Sequence, residues 1–136
     1  MSQAMALRSG RGSTPDLRRV LGLDAATCLL MGLLLVSAES PLSAALGLPR
    51  GLVFWAGAAL FPCAAVMAGA AAMRSPPPLL VWLVILGNAA WVAASVAVTM
   101  VFDPTWIGVA FVIGQACVVF FLLILERRGQ AASSAQ

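Results

Sequence analysis

Three segments of the chain carry no charged residue: Arg50 to Arg74, Arg74 to Asp103, and Asp103 to Glu126. Each is mostly Ala, Val, Leu, Ile, Phe and Trp, and each holds more than twenty residues. A helix rises ~1.5 Å per residue and a bilayer core is ~30 Å thick, so about twenty apolar residues cross it. A fourth apolar run, Val20 to Ala38, is interrupted once, by Asp24. The pattern predicts an all-α polytopic membrane protein, an antiparallel four-helix transmembrane bundle, with spans at about 17–38, 52–73, 79–102 and 105–126. Flanking them, residues 1–13 and 129–136 are polar and aperiodic, and are expected to be disordered tails around one domain, 14–128.

The breaks between the runs fit that division. Thr14-Pro15-Asp16 supplies an N-cap, a first-turn proline and an acid at the positive end of the first helix. Arg18 and Arg19 are expected to snorkel to the headgroups. Ser40-Pro41 opens a short helix through Leu46, stopped by Gly47 and Pro49, whose Leu42, Leu46 and Leu48 would lie on the membrane surface. Arg74-Ser75-Pro76-Pro77-Pro78 is a stiff connector that cannot continue a helix. Asp103-Pro104-Thr105 is a tight turn, with Asp103 as the expected cap of the fourth span; so short a turn makes spans three and four antiparallel neighbours. Glu126-Arg127-Arg128 would close the last span at the inner surface.

Charge placement then gives orientation. Arg8, Arg11, Arg18, Arg19, Arg74, Arg127 and Arg128 fall on one side of four spans and Arg50 on the other. Arg-rich short loops stay in the cytoplasm, so both termini are expected there. With Lys, His and Tyr absent, the high Ala, Gly and Arg content is that of a GC-rich bacterial genome, which makes the membrane a bacterial one. The net charge of +3 is thereby a topology signal rather than a nucleic-acid footprint. A competing reading treats the first run as a signal peptide cleaved after Val36-Ser37-Ala38, but the run is long for one and contains Asp24. The 62% hydrophobic content and mean hydropathy of +1.00 exclude a soluble fold.

Candidate chemistry is sparse. Lys, His and Tyr are absent, which removes the usual haem and zinc ligands and several acid–base and nucleophilic groups. Cys28, Cys63 and Cys117 form no disulfide framework; with Met31 or Met67 they could make a soft Cu(I) site, but no CxxC or MxxxM spacing supports one. The expectation is no metal, no cofactor and no enzymatic activity. Asp24, Glu39 and Asp103 do not form a working pair, because they fall on different sides.

Four intramembrane residues stand out as possible ligand-facing groups: Asp24, Asn88, Trp91 and Gln115. Asp24 is the most costly of them. Read structurally, it pairs with Arg74, Arg127 or a helix end; read functionally, it binds a proton or cation in an aqueous cavity. Asn88 and Gln115 both fall near the midplane, which suggests an amide pair across spans three and four. Trp55, Trp82 and Trp106 lie at span ends, whereas Trp91 is central and its indole N–H needs a partner. Asn88, Trp91, Ser95 and Thr99 share a helix face that should point inward. Small residues at four-residue spacing (Gly22 and Ala26; Ala65 and Gly69; Ala64, Ala68 and Ala72) are candidates for close helix contact. Pro62 is expected to kink the second span.

Several stretches together carry a resemblance: Leu21-Gly-Leu-Asp-Ala25, Pro41-Leu to Leu48-Pro49, Val81-Trp-Leu-Val84 with Gly87-Asn88 and Trp91, and Pro104-Thr with Gly108, Ala110-Phe-Val112 and Gln115. Over about Leu17 to Arg128 the chain resembles a family of small, uncharacterised four-span integral membrane proteins of the bacterial inner membrane. That resemblance implies a fold and a location and brings no activity. DoxX-like proteins are similar only in size and helix count. The small multidrug resistance transporters share four short spans and an acid in the first, a glutamate where this chain has Asp24.

Two functions fit these residues. One is a non-enzymatic accessory or structural membrane protein, or a binder of a lipophilic molecule between its helices. The other is a small oligomeric transporter using Asp24 as proton- or cation-coupling site, with Asn88, Trp91 and Gln115 as the cavity. Expected partners are membrane lipids, with other membrane proteins or further copies of the chain as candidates, and no nucleic acid.

Overall fold

The computed structural model describes residues 14–134, and the tail expected at residues 1–13 lies outside them. Five helices follow one another: α1 (Thr14–Ser37), α2 (Glu39–Leu46), α3 (Arg50–Ala72), α4 (Pro78–Val101) and α5 (Trp106–Ser134). No strand occurs among the described residues. Four of these helices, all but α2, are long and apolar enough to cross a membrane, as the three charge-free runs and the run broken by Asp24 predict. They form an antiparallel four-helix bundle.

The bundle is two helix pairs. Along α1, the buried positions Leu17, Leu21, Ala25, Cys28, Gly32 and Leu35 recur at three- and four-residue spacing. Val53, Gly57, Leu60, Ala64, Met67 and Ala70 do the same on α3. The two stripes pack against each other along most of their length. At its tightest point Gly32 meets Gly57: a Cβ at Gly57 would sit 2.6 Å from the Leu35 Cβ and 3.1 Å from the Gly32 carbonyl oxygen. The expected close contacts at Gly22 and Gly69 are elsewhere in space, since a Cβ at either would touch nothing within 4 Å. In an Ala-rich sequence small-residue spacing marks several faces, and only packing selects one. Pro62 lies inside α3, which continues as helix on both sides of it.

Helices α4 and α5 form the second pair, joined by the Asp103–Thr105 turn. The two pairs meet chiefly through α1 against α5. No Cα atoms of α1 and α4 approach within 8 Å among the described residues. This leaves room between the pairs for side chains and for empty space.

At the Arg50 end, α2 closes the bundle. Leu46 and Leu48 are buried and Leu42 packs against the core, so this short helix plugs the bundle rather than resting on the membrane surface by those leucines. Thr105 holds it there: its backbone N–H donates to the Leu46 carbonyl (3.0 Å) and its hydroxyl to the Ala45 carbonyl (2.7 Å). Gly47 takes φ +68 to end α2, and a Cβ at Gly108 would fall 2.1 Å from the Leu46 oxygen. Thr105 also accepts the Gly108 N–H (3.1 Å), so it caps α5 in place of Asp103. Arg50 donates to Glu39 (2.8 Å) across the same end.

At the opposite end, Arg18 Nε donates to the Ala71 carbonyl (2.9 Å), placing a cation on the negative terminus of α3. Helix α5 also departs from expectation. It continues to Ser134, through the segment expected to be a disordered tail from Gly129. The continuation is packed: Gln130 is buried, and a Cβ at Gly129 would meet Leu17 at 3.0 Å. Glycine there lets α5 run past α1.

Candidate functional site

Every Cα–Cβ bond in a helix tilts toward that helix's N-terminus. On α1 and α4, whose N-termini lie at the Arg-rich end, Asp24 and Asn88 therefore lean toward that end. Glu126 sits on α5, which runs the other way, so its long side chain leans back into the bundle. The three converge. Asn88 Nδ2 donates to Asp24 Oδ2 (2.6 Å) and to Glu126 Oε2 (3.0 Å). Asp24 is 1% exposed, Asn88 4% and Glu126 0%.

This arrangement corrects two expectations. Asp24 is paired with neither Arg74 nor Arg127: its partners are Asn88 and, weakly, the Cys28 thiol at 3.8 Å. Glu126 does not close the last span at a surface, because α5 extends beyond it and the side chain is wholly enclosed. Arg127 and Arg128 are exposed, on the other side of their helix from Glu126. No salt bridge to Asp24 or Glu126 forms among the described residues. The cluster thus holds two carboxyl groups and one amide, whose two N–H bonds are divided between them. Among buried side-chain polar atoms of the described residues, Glu126 Oε1 has no hydrogen-bond partner.

Helix polarity also explains why Asn88 and Gln115 do not form the expected amide pair. Gln115 on α5 leans toward the Arg50 end while Asn88 on α4 leans away from it. One turn further along α4, Trp91 meets Gln115 instead: the indole N–H donates to Gln115 Oε1 (2.7 Å). Gln115 Nε2 then donates to Ser95 Oγ (2.8 Å) and to the Val112 carbonyl (3.0 Å), and Ser95 donates to the Trp91 carbonyl (2.8 Å). This second network stitches α4 to α5. Thr99, although on the same face, bonds back to the Val96 carbonyl of its own helix.

Between the two networks lies a cavity of about 820 Å³, lined by residues from α1, α3, α4 and α5. Its walls are chiefly apolar, with Leu60, Val66, Leu83, Phe111 and Val118 among them. Asp24, Asn88, Trp91 and Gln115, the four residues singled out in the sequence, all line it. Gly87 and Gly114 line it too, and a Cβ at either meets nothing within 4 Å, so both glycines face open space. A smaller cavity of about 150 Å³ lies beneath α2, with Met31, Trp91, Phe111 and Gln115 forming the partition between them.

Among the thiols, Cys28 approaches the Met67 sulfur (3.8 Å), while Cys63 and Cys117 are exposed. No group of three or more His, Cys, Asp or Glu among the described residues is placed to hold a metal ion. Comparison with known protein families, curated proteins and solved structures finds no match.

Glu126 is the residue that the sequence reasoning missed. Its signal was present: Leu122, Glu126 and Gln130 fall at four-residue spacing on one face, and Arg127 and Arg128 on another.

Proposed function

We propose that this chain is a non-enzymatic integral membrane protein that binds a lipophilic molecule in the cleft between its two helix pairs. The cavity carries the reading. Its volume falls in the range of small-molecule sites, its walls are apolar, and a few polar groups converge on it. Several lining residues, such as Leu30, Leu83 and Val118, are exposed and belong to the surface that would face lipid tails, so a lipophile has a lateral route in. Lipids are the first candidates for the occupant; an accessory role beside another membrane protein, or in a homo-oligomer, is compatible with the same cleft.

The seven-to-one arginine distribution supports an orientation with both termini in the cytoplasm, and the resemblance to small four-span bacterial proteins supports an inner-membrane location. A membrane-impermeant thiol reagent should then label cysteine at Ala44 in intact cells lacking the native cysteines. Cysteine at Ser75 should be labelled only after permeabilisation; the reverse pattern would invert the topology.

A transporter reading is favoured by one observation: Asp24 lines the cavity without a basic partner. Proton-driven uptake by wild type in liposomes, lost in an equally stable Asp24→Asn variant, would select it over passive binding.

The lipophile reading is tested by mass spectrometry of molecules retained through purification in mild detergent. A near-stoichiometric lipophile is expected with wild type, and much less with Gly114→Leu or Gly87→Leu, whose side chains would occupy the cavity while the fold is kept. Equal retention by the filled variants would refute it.

A further inference from the structure

We propose that Asp24 and Glu126, bridged by Asn88, form a proton-binding site inside the membrane, one proton being shared between the two carboxyl groups and latching the α1–α3 pair to the α4–α5 pair. The cluster has what such a site requires and lacks what would replace it. Two carboxyl groups bond to the same amide nitrogen, at 2.6 and 3.0 Å, in surroundings that are 0–4% exposed. The amide has only two hydrogens to give, so a third donor must come from elsewhere. Glu126 Oε1 is the atom that has none. Two carboxylates sharing a buried site disfavour each other's ionised form, and a buried charge without a partner is strongly disfavoured in hydrocarbon.

The groups around the pair offer no alternative neutralisation. From α1 the titratable neighbour is Cys28, a donor to Asp24 and not a cation. From α3, Cys63 lines the same cavity as Asp24 and brings no positive charge. From α4 the contact is Asn88, which does not titrate. On α5, Arg127 and Arg128 are exposed, and on α1 Arg18 is engaged by the Ala71 carbonyl and Arg19 is exposed. A proton on one carboxyl leaves a single negative charge held by the Asn88 amide.

Its position gives the proton a structural consequence. Asp24 belongs to one helix pair, Asn88 and Glu126 to the other, so the cluster is a polar tie across the cleft. Removing the proton sets like charges against each other at that tie and loosens it. Proton occupancy and the width of the lipophile cavity are thereby linked, although the site itself stands whether or not the cavity is filled.

The test uses the full-length protein in lipid nanodiscs. Infrared spectroscopy should show, near neutral pH, a protonated-carboxyl C=O band equivalent to one group per chain, fading as pH rises. Glu126→Gln, whose amide supplies the missing donor, should lose the band, and Asp24→Asn serves the same purpose should the first variant fail to fold. Wild-type thermal stability should fall with rising pH, because the folded protein then gives up a proton that its closed form needs, while Glu126→Gln should show no such slope. Absence of the band in wild type, or its persistence in both single variants, would overturn the proposal. So would stability that follows sodium concentration at fixed pH instead of pH itself, which would make the occupant a metal cation.

Discussion

The α1–α3 seam and the seam between the two helix pairs join helices of similar length and composition by opposite means. Along α1–α3, apolar stripes interlock and Gly32 and Gly57 bring the backbones together. Between the pairs, α1 packs closely on α5 toward the Arg-rich end, at Leu17 and Gly129; α1 and α4 stay apart, and side-chain hydrogen bonds reach across from Asp24 to Asn88 and, through it, to Glu126. In a bilayer the apolar faces of helices gain nothing by leaving lipid, so association depends on close packing or on polar ties. Close packing leaves no void. Polar ties hold helices at the distance set by their side chains, and a cavity persists beside them. The two seams therefore divide labour: one makes a rigid pair, the other makes a cleft.

The apolar seam should break hardest. Gly57→Leu would drive a side chain into Leu35 and the Gly32 backbone, and a loss of about 3 kcal/mol is expected, at the upper end of over-packing effects. Denaturant titration in detergent micelles checks it, and the loss should be the same at all pH values because no titratable group is involved. Asn88→Ala comes next. It removes the amide donor that Asp24 and Glu126 share, at a cost of about 2 kcal/mol that should grow as pH rises.

These two variants also mark what was and was not legible in the sequence. Spans and their order follow from apolar runs of sufficient length, three of them free of charge and one broken only by Asp24, so the bundle itself is readable. Asp24, Asn88, Trp91 and Gln115 were readable as expensive polar groups in an apolar setting. Their pairings were not, because helix direction decides which way a side chain leans: Asn88 and Gln115 sit at similar depth yet diverge. Glu126 was hidden by its neighbours, since Glu-Arg-Arg at the end of an apolar run has the composition of an interfacial boundary. Only the docking of Gly129 and Gln130 shows that α5 continues inside the bundle. The Gly32–Gly57 contact was masked by the abundance of small residues elsewhere.

Smaller effects sharpen the contrast. Trp91→Phe keeps the ring but removes the donor to Gln115, within a network joining α4 and α5, and should cost about 1 kcal/mol. A double-mutant cycle with Gln115→Ala would show coupling between the two, whereas Trp91→Phe and Gly57→Leu should be additive. Glu39→Gln, at the Arg50 end, disrupts a partly exposed ion pair in which Arg50 is 65% exposed. Its effect should be at most about 0.5 kcal/mol and should vanish in high salt.

A cleft open between the pairs would admit a lipophile as far as Trp91, which lines it. The most direct measurement is fluorescence quenching of a protein in which Trp55, Trp82 and Trp106 are replaced by Phe, leaving Trp91 alone, in bilayers containing lipids with brominated acyl chains. Strong quenching of Trp91 is expected in the otherwise native cavity, and its loss in the Gly114→Leu background, where the added side chain occupies the space beside it. Weak quenching in both, or quenching unchanged by Gly114→Leu, would mean that no lipophile reaches Trp91 through the cleft.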